Sequence, residues 1–337
     1  MPVVATATAG SAVSAAETAP LEVAYERTLI VDDYPFLKSH VMGSKAVIPA
    51  AVIMEWLACG AISNNPGLSF HGFHEFRVYN GVVLDPTKPP KIKVLAGKAP
   101  SDVLAGKVAS SAPDSGIASS VVDSSAPGSG IASSSLISVR VELRGGLNFM
   151  KLHAAANVLL SPNPIGENGS AVAPAPKLKV TAGKYDKTVE EAYKEVLFHG
   201  VDFEVIKEVE ISSEDGIVAQ LKAAPKPSKW MNEPFLNEWF GDPLAVDGVF
   251  QLMILWTNHQ FGDLSLPNYV KNYRQYVSRF PEAGVKVVIS AKRKSGAAAN
   301  ADVEFIDSDG NLVAELTGYE CTMSPSLGKA FQGRTLL

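Results

Sequence analysis

The chain has 337 residues, 46% hydrophobic and 19% charged, with a formal net charge of −5. That is enough for one large or two ordinary domains with a full core. It offers no electrostatic case for nucleic acid or a membrane surface. Cys59 and Cys321 lie far apart and the six histidines show no metal-binding spacing, so neither a disulfide framework nor a zinc motif is expected.

Residues 1–20 are rich in Ala, Thr and Ser, with no basic residue before Arg27. They lack the charged start and apolar centre of a secretory signal and read as a flexible linker. Leu21–Ile30 reads as a first strand. Tyr34-Pro35-Phe36-Leu37 then leads to His40, a small-residue turn at Gly43-Ser44, and Pro49, which suits the first turn of a helix. From Ala50 to Ile62 the chain is almost wholly apolar, with Glu55 its one charge. A helix apolar on nearly all sides is buried on nearly all sides, and this one is too short to span a bilayer. Strand-like stretches follow at Phe70–Leu84 and Lys91–Leu95.

Residues 99–135 are dominated by Ser, Ala, Gly and Pro and carry a near-repeat, SSAPDSGIASS at 110–120 and SSAPGSGIASS at 124–134. Too few large apolar groups are present to offset ordering entropy, so a disordered insertion is expected. Two short polar copies cannot stack a solenoid core. Strands resume at Ile137–Leu143 and Phe149–Leu160. The Pro/Gly/Asn-rich stretch 161–176 is the best boundary between halves, giving expected domains of 21–165 and 177–325 and a tail over 326–337.

The second half opens with a helix over Val189–Leu197, with capping signals at Thr188 and Glu191. FHGVDFEVIKEVEIS then turns into strand, and Ile217–Ala223 continues as one. Pro225–Pro243 is a connection whose Trp230, Phe235, Trp239 and Phe240 read as lining of a core or pocket. At 247–256 the sequence DGVFQLMILW again puts one ionisable group at the head of an apolar run. Asp247 reads as a helix start, where capping and the helix dipole favour a carboxylate. Gln251 falls four residues on, on the same face. Three strands, Lys286–Lys292, Asp302–Ile306 and Leu312–Met323, close the chain, with an Asp-Gly hairpin turn over Asp307–Asn311 and an irregular stretch from Ser324.

Each half is thus strands plus one buried helix, an α+β arrangement with an antiparallel sheet curled around a helix. Alone, His40 reads as a satisfied histidine and Asp247 as an N-cap. Paired across two similar halves, they point to one shared site. No G-x-G-x-x-G after a strand, P-loop or G-x-S-x-G is present, so dinucleotide, nucleotide and serine-hydrolase readings lack support.

These residues resemble the dehydratase domains of polyketide synthases. His40 and Pro49 have the spacing of that family's first motif, Asp247 and Gln251 match its Asp-x-x-x-Gln/His motif, and His199, Gly200 and Phe203 fall on its Tyr-Gly-Pro-x-Phe element. The likeness covers roughly residues 20–325, and wording such as DPLAVDGVFQLMILW is closest to the dehydratase region of polyunsaturated fatty acid synthases. Three positions depart: Ser44 takes the motif glycine's place, with Gly43 just before it; His199 replaces Tyr; Val201 replaces Pro.

The resemblance implies a double-hotdog fold and loss of water from a 3-hydroxyacyl thioester carried on the phosphopantetheine of an acyl carrier protein. Imidazole suits removal of the weakly acidic C2 proton, and a carboxylic acid in an apolar tunnel suits protonation of the departing hydroxide. His40 is then the base and Asp247 the acid, oriented by Gln251. A backbone N–H near Gly200 would bind the enolate oxygen, and His199 a substrate hydroxyl. Gly43, Pro49 and Phe203 would shape the acyl channel. The expected setting is cytoplasmic, without metal, organic cofactor, nucleic acid or membrane insertion. The carrier protein, neighbouring synthase domains and a homodimer are the expected partners, with Lys292-Arg293-Lys294 as a docking patch or a solvated hairpin. Rivals are a product-template-type cyclase, a hotdog thioesterase or enoyl-CoA hydratase, and a degenerate dehydratase kept as a scaffold.

Overall fold

The structure, a computed structural model, describes residues 20–85, 87–100, 136–166 and 172–336. The expected linker and insertion lie outside these residues apart from 20, 99 and 100. Ala99 belongs to the folded body: it is buried, and its N–H donates to Asn65 Oδ1 at 2.6 Å.

Among the described residues, eleven strands form one sheet. In the first half they are β1 (Glu22–Thr28), β4 (Ser69–Val78), β5 (Lys91–Ala96), β6 (Ile137–Gly145) and β7 (Lys151–Ser161). The second half supplies β8 (Ile206–Ser213), β9 (Gly216–Leu221), β10 (Ser265–Gln275), β11 (Val285–Ser295), β12 (Ala298–Ile306) and β13 (Leu312–Met323). Their order is β1-β5-β6-β7-β4-β10-β13-β12-β11-β9-β8, so the halves run outward from a β4–β10 seam, each ending on its own first strand. The pairing is antiparallel throughout, with Phe73 opposite Tyr273 at the seam. Helix α1 (Ala50–Asn64) packs on the first half's strands, and the long helix of the second half, Pro243–Phe261, packs on β8 to β11 and on α1. Two buried helices, each wrapped by half of one antiparallel sheet, make the double hotdog.

The seam strand β10 was not among the expected strands. SLPNYVKNYRQ carries a proline and little alternation, but pairing on both sides holds it extended, and a register shift absorbs Pro267. Close approach at the seam demands glycine at Gly72. Its φ is 146°, and a Cβ there would stand 2.0 Å from the carbonyl oxygen of Tyr273.

Helix α1 is buried from Ala51 to Ala61 except at Cys59, as an all-apolar helix requires. Glu55 is the exception in chemistry. Its carboxyl oxygens accept the N–H groups of Phe240 and Gly241 at 2.8 Å each, clamping α1 to the connection that enters the second half's helix. Burial nevertheless pushes its pKa up to about 7.

The second half begins with the short helix α2 (Val189–Glu195), capped reciprocally by Thr188 and Glu191 as expected. A single turn, α3 (Pro227–Trp230), precedes the long helix, α4 (Pro243–Phe261). The start expected at Asp247 is corrected: Asp242 is the N-cap, accepting Ala245 N–H at 2.8 Å, with Pro243 next in the first turn. Asp247 therefore sits inside the helix, in its second turn. The irregular ending is corrected too, because α5 (Leu327–Gln332) folds back and buries Phe331.

Candidate active site

His40 precedes a small hairpin of β2 (Val41–Met42) and β3 (Lys45–Ala46). The two turn residues, Gly43 and Ser44, have φ of 59° and 62°, the positive pair that a tight two-residue hairpin takes. Ser44 bears a conformation that glycine adopts at no steric cost. The turn is held from outside by the C-terminal segment: Gly43 N–H donates to Ala330 O and Ser44 N–H to Gly333 O. In the same segment Phe331 packs edge-on against Phe198, their centroids 4.6 Å apart.

The hairpin fixes His40. Its Nδ1 lies 2.7 Å from Val47 O, and a carbonyl only accepts, so Nδ1 carries the hydrogen and Nε2 presents its lone pair. The ring packs against Phe198, His199 and Phe203 at centroid distances of 5.0, 5.3 and 5.2 Å. Backbone pairing brings the halves together here: His40 bridges His199, and Gly200 N–H donates to Ser39 O at 2.8 Å. That bond occupies the Gly200 donor and leaves Val201 N–H as the nearby backbone donor without a partner among the described residues.

Asp247 reaches the same place from α4. Its Oδ2 accepts Gln251 Nε2 at 2.8 Å and lies 3.4 Å from His199 Nε2. Gln251 is fully buried, and the same amide nitrogen donates to Phe203 O at 3.0 Å while its oxygen accepts Tyr193 O–H at 2.8 Å. The spacing of Asp247 and Gln251 read from the sequence therefore corresponds to a direct contact. Donor atoms of His40, His199 and Asp247 all lie within 4.8 Å of one another, with all three residues buried. No sequence spacing marks them as a set, because they come from three distant segments.

Burial sets the protonation states. Desolvation lowers the His40 pKa to about 4 and raises that of Asp247 to about 7, the Gln251 hydrogen bond pulling the latter back down. His199 is held well below its ordinary value by desolvation first, then by the neighbouring His40 and Arg334. With both imidazole pKa values lowered and that of Asp247 raised to about 7, Asp247 is the one of the three that keeps a share of its proton at neutral pH.

A cavity of about 560 Å³ reaches this cluster at His199 alone; Gly200, Lys194, Lys222, Arg334, Glu190 and Glu204 also line it, and His40 and Asp247 do not. Gly43 does not face it. With Ser44, Lys38 and Lys45, Gly43 lines a separate cavity of about 740 Å³. Pro49 is the buried N-cap of α1, and Phe203, wholly buried, packs at a tilt against Trp230 rather than facing open space. Lys294 and Arg293 are engaged by Glu320 and Asp263, so the Lys292-Arg293-Lys294 hairpin is partly neutralised. Sequence reasoning missed Tyr193 and Arg334. Tyr193 anchors Gln251, and Arg334 donates to Tyr193 O at 2.7 Å. Neither residue stands in a motif, and each acquires its role only through a contact between segments.

Residues 171–330 match the family model described as polyketide synthase dehydratase N-terminal domain. That span includes His199, Asp247 and Gln251 but not His40. One of the subunits of the polyunsaturated fatty acid synthase of Thraustochytrium sp. is 24% identical over 254 residues, 75% of this chain, and the chain spans about 8% of that protein's length. Among solved structures, the dehydratase domain from the CurF module of curacin polyketide synthase superposes with a TM-score of 0.62 at 14% identity, covering 93% of this chain and 96% of that one. The dehydratase domain of PpsC from Mycobacterium tuberculosis, in complex with C12:1-CoA, gives 0.58 at 15%, with coverages of 89% and 93%. A trans-AT polyketide synthase dehydratase domain from Brevibacillus brevis gives 0.62 at 13%, with 90% and 94%. Over about nine-tenths of its length the chain has the fold of polyketide-synthase dehydratase domains, and its residues 171–330 match that family's model. Among the described residues no helix is long and apolar enough to cross a membrane.

Proposed function

We propose that this dehydratase-type domain removes water from a 3-hydroxyacyl thioester carried by an acyl carrier protein, giving the 2-enoyl thioester. One observation carries the reading: an imidazole with a fixed tautomer and a carboxyl whose pKa burial raises to about 7 share one buried cluster. His40 Nε2 takes the C2 proton, and charge moves onto the thioester oxygen, where Val201 N–H is the donor at hand. As the double bond forms between C2 and C3, the C3–O bond breaks and Asp247 delivers its proton to the departing hydroxide, which leaves as water. The resulting imidazolium and carboxylate, within 4.8 Å of each other, exchange the proton through the product water and reset the site. His199 sits beside Asp247 and offers a hydrogen-bonding nitrogen to the substrate hydroxyl.

The cavity at His199 and Gly200 supports entry of a pantetheine arm there, with Lys194, Lys222 and Arg334 at hand for its phosphate and Glu190 and Glu204 on the same lining. Neighbouring synthase domains, the carrier protein and a cytoplasmic setting are part of this reading. Carrier-bound 3-hydroxyacyl substrates of graded chain length test it, with mass spectrometry following loss of water. We expect His40→Phe and Asp247→Asn each to lower turnover by at least ~10³-fold, the scale of a lost acid or base together with its positioning, without lowering the melting temperature. Undiminished turnover in both variants, or release of free thiol in place of water, overturns the assignment.

A further inference from the structure

We propose that His40, His199 and Asp247 form a binding site for one divalent transition-metal ion of the zinc class, and that the ion blocks the site when bound. The inhibitory part rests on the dehydratase reading above; the binding part does not.

Two imidazoles and a carboxylate are the donor set that zinc accepts with a fourth position left open, and buried imidazole favours zinc, nickel or copper over magnesium or calcium. Zinc holds such donors at roughly 2.0–2.2 Å, so tetrahedral neighbours stand roughly 3.3 Å apart. His199 Nε2 and Asp247 Oδ2 are already at 3.4 Å. The full set lies within 4.8 Å, so small side-chain rotations complete it. Two of the three ligands have the outer support that metal-binding side chains use: His40 donates its far nitrogen to Val47 O, and Gln251 donates to Asp247. The third observation is His199 itself. Its Nδ1 is buried without a hydrogen-bond partner among the described residues, so no bond through that nitrogen pins the ring. The fourth position would face the cavity that His199 and Gly200 line, open to a water.

Position 199 decides whether the set exists. The dehydratase motif has Tyr there, whereas this chain supplies an imidazole as the third ligand. A bound ion would take the His40 lone pair that proton abstraction needs, so occupancy and turnover exclude each other.

The test is a calorimetric titration of the chelator-stripped chain with ZnCl2, with MgCl2 as control, and a cobalt(II) titration read by visible absorption. We expect one zinc ion per chain at micromolar affinity or tighter, a tetrahedral cobalt spectrum, and no magnesium binding. His199→Tyr and His199→Phe should each bind zinc at least tenfold more weakly, with folding checked by circular dichroism. Should either fail to fold, His40→Phe removes a different ligand and must show the same loss. Equal affinity in wild type and variants, which marks surface histidines as the binders, overturns the proposal, as does wild type that binds no zinc at millimolar concentration. Zinc should also suppress wild-type dehydration at the concentration at which it binds. Because binding is read without substrate, a chain that binds zinc but never dehydrates refutes the catalytic reading alone.

Discussion

Gln251 is the buried hub of the site, joining Asp247 Oδ2, Phe203 O and Tyr193 O–H. Gln251→Leu keeps the apolar packing of α4 and removes the bonds to all three groups. Tyr193 O–H and Phe203 O stand 3.4 Å apart and can satisfy each other, so the uncompensated loss falls on Asp247. One stranded buried acceptor costs roughly 1–3 kcal/mol of stability. The effect on titration has a definite sign. Gln251 donates to the carboxylate and so favours the charged form; without it the Asp247 pKa, about 7, rises further. A hydrogen bond to a charged group is worth roughly 1.5–3 kcal/mol, and about 1.4 kcal/mol corresponds to a tenfold change, so the alkaline limb of the rate profile moves up by roughly one pH unit or more. A carboxyl freed to turn also loses alignment with the C3 hydroxyl, lowering kcat/KM roughly 10–100-fold. The assay is kcat/KM for a 3-hydroxyacyl pantetheine thioester across pH, alongside thermal unfolding. An alkaline limb that stays in place or moves down would show that Asp247 is not the acid titrating there.

The wild-type profile follows from the same protonation states. In the proposed mechanism turnover needs His40 neutral and Asp247 protonated, so kcat/KM should rise through about 4, fall through about 7 and peak between; an optimum above pH 8 would contradict it. Ser44→Gly relieves a positive φ of 62° at the tip of the His40 hairpin and should raise stability by about 1 kcal/mol in urea unfolding, with no gain if the turn opens instead. Gly72→Ala forces a Cβ to within 2.0 Å of Tyr273 O at the seam, and should cost roughly 3–5 kcal/mol or abolish soluble expression. A melting temperature within a degree or two of wild type would mean the two halves do not meet there as described.

The features legible in the sequence were those whose cause is local. An apolar run with a single charge has to be a buried helix, and α1 is one. The capping pair Thr188 and Glu191 marks the start of α2, and a four-residue spacing puts Asp247 against Gln251. The resemblance carried by His40, Pro49, Asp247 and Gln251 supplied the double hotdog, which no periodicity alone could. What escaped depends on contacts between distant segments. Strand β10 is extended because β4 and β13 pair with it, not because its own residues favour strand. The ordered C-terminal helix exists because the His40 turn and Phe198 give it a surface. Asp247 looked like a cap because it heads an apolar stretch, while Asp242 and Pro243 upstream in fact set the helix start. Residue types alone left His40 and Asp247 as an ordinary histidine and a cap; the family resemblance singled them out as an acid–base pair. Only the closed sheet, by pressing residues 40, 199 and 247 into one buried space, decided that a second imidazole stands beside the pair and that desolvation fixes which of the three holds the proton.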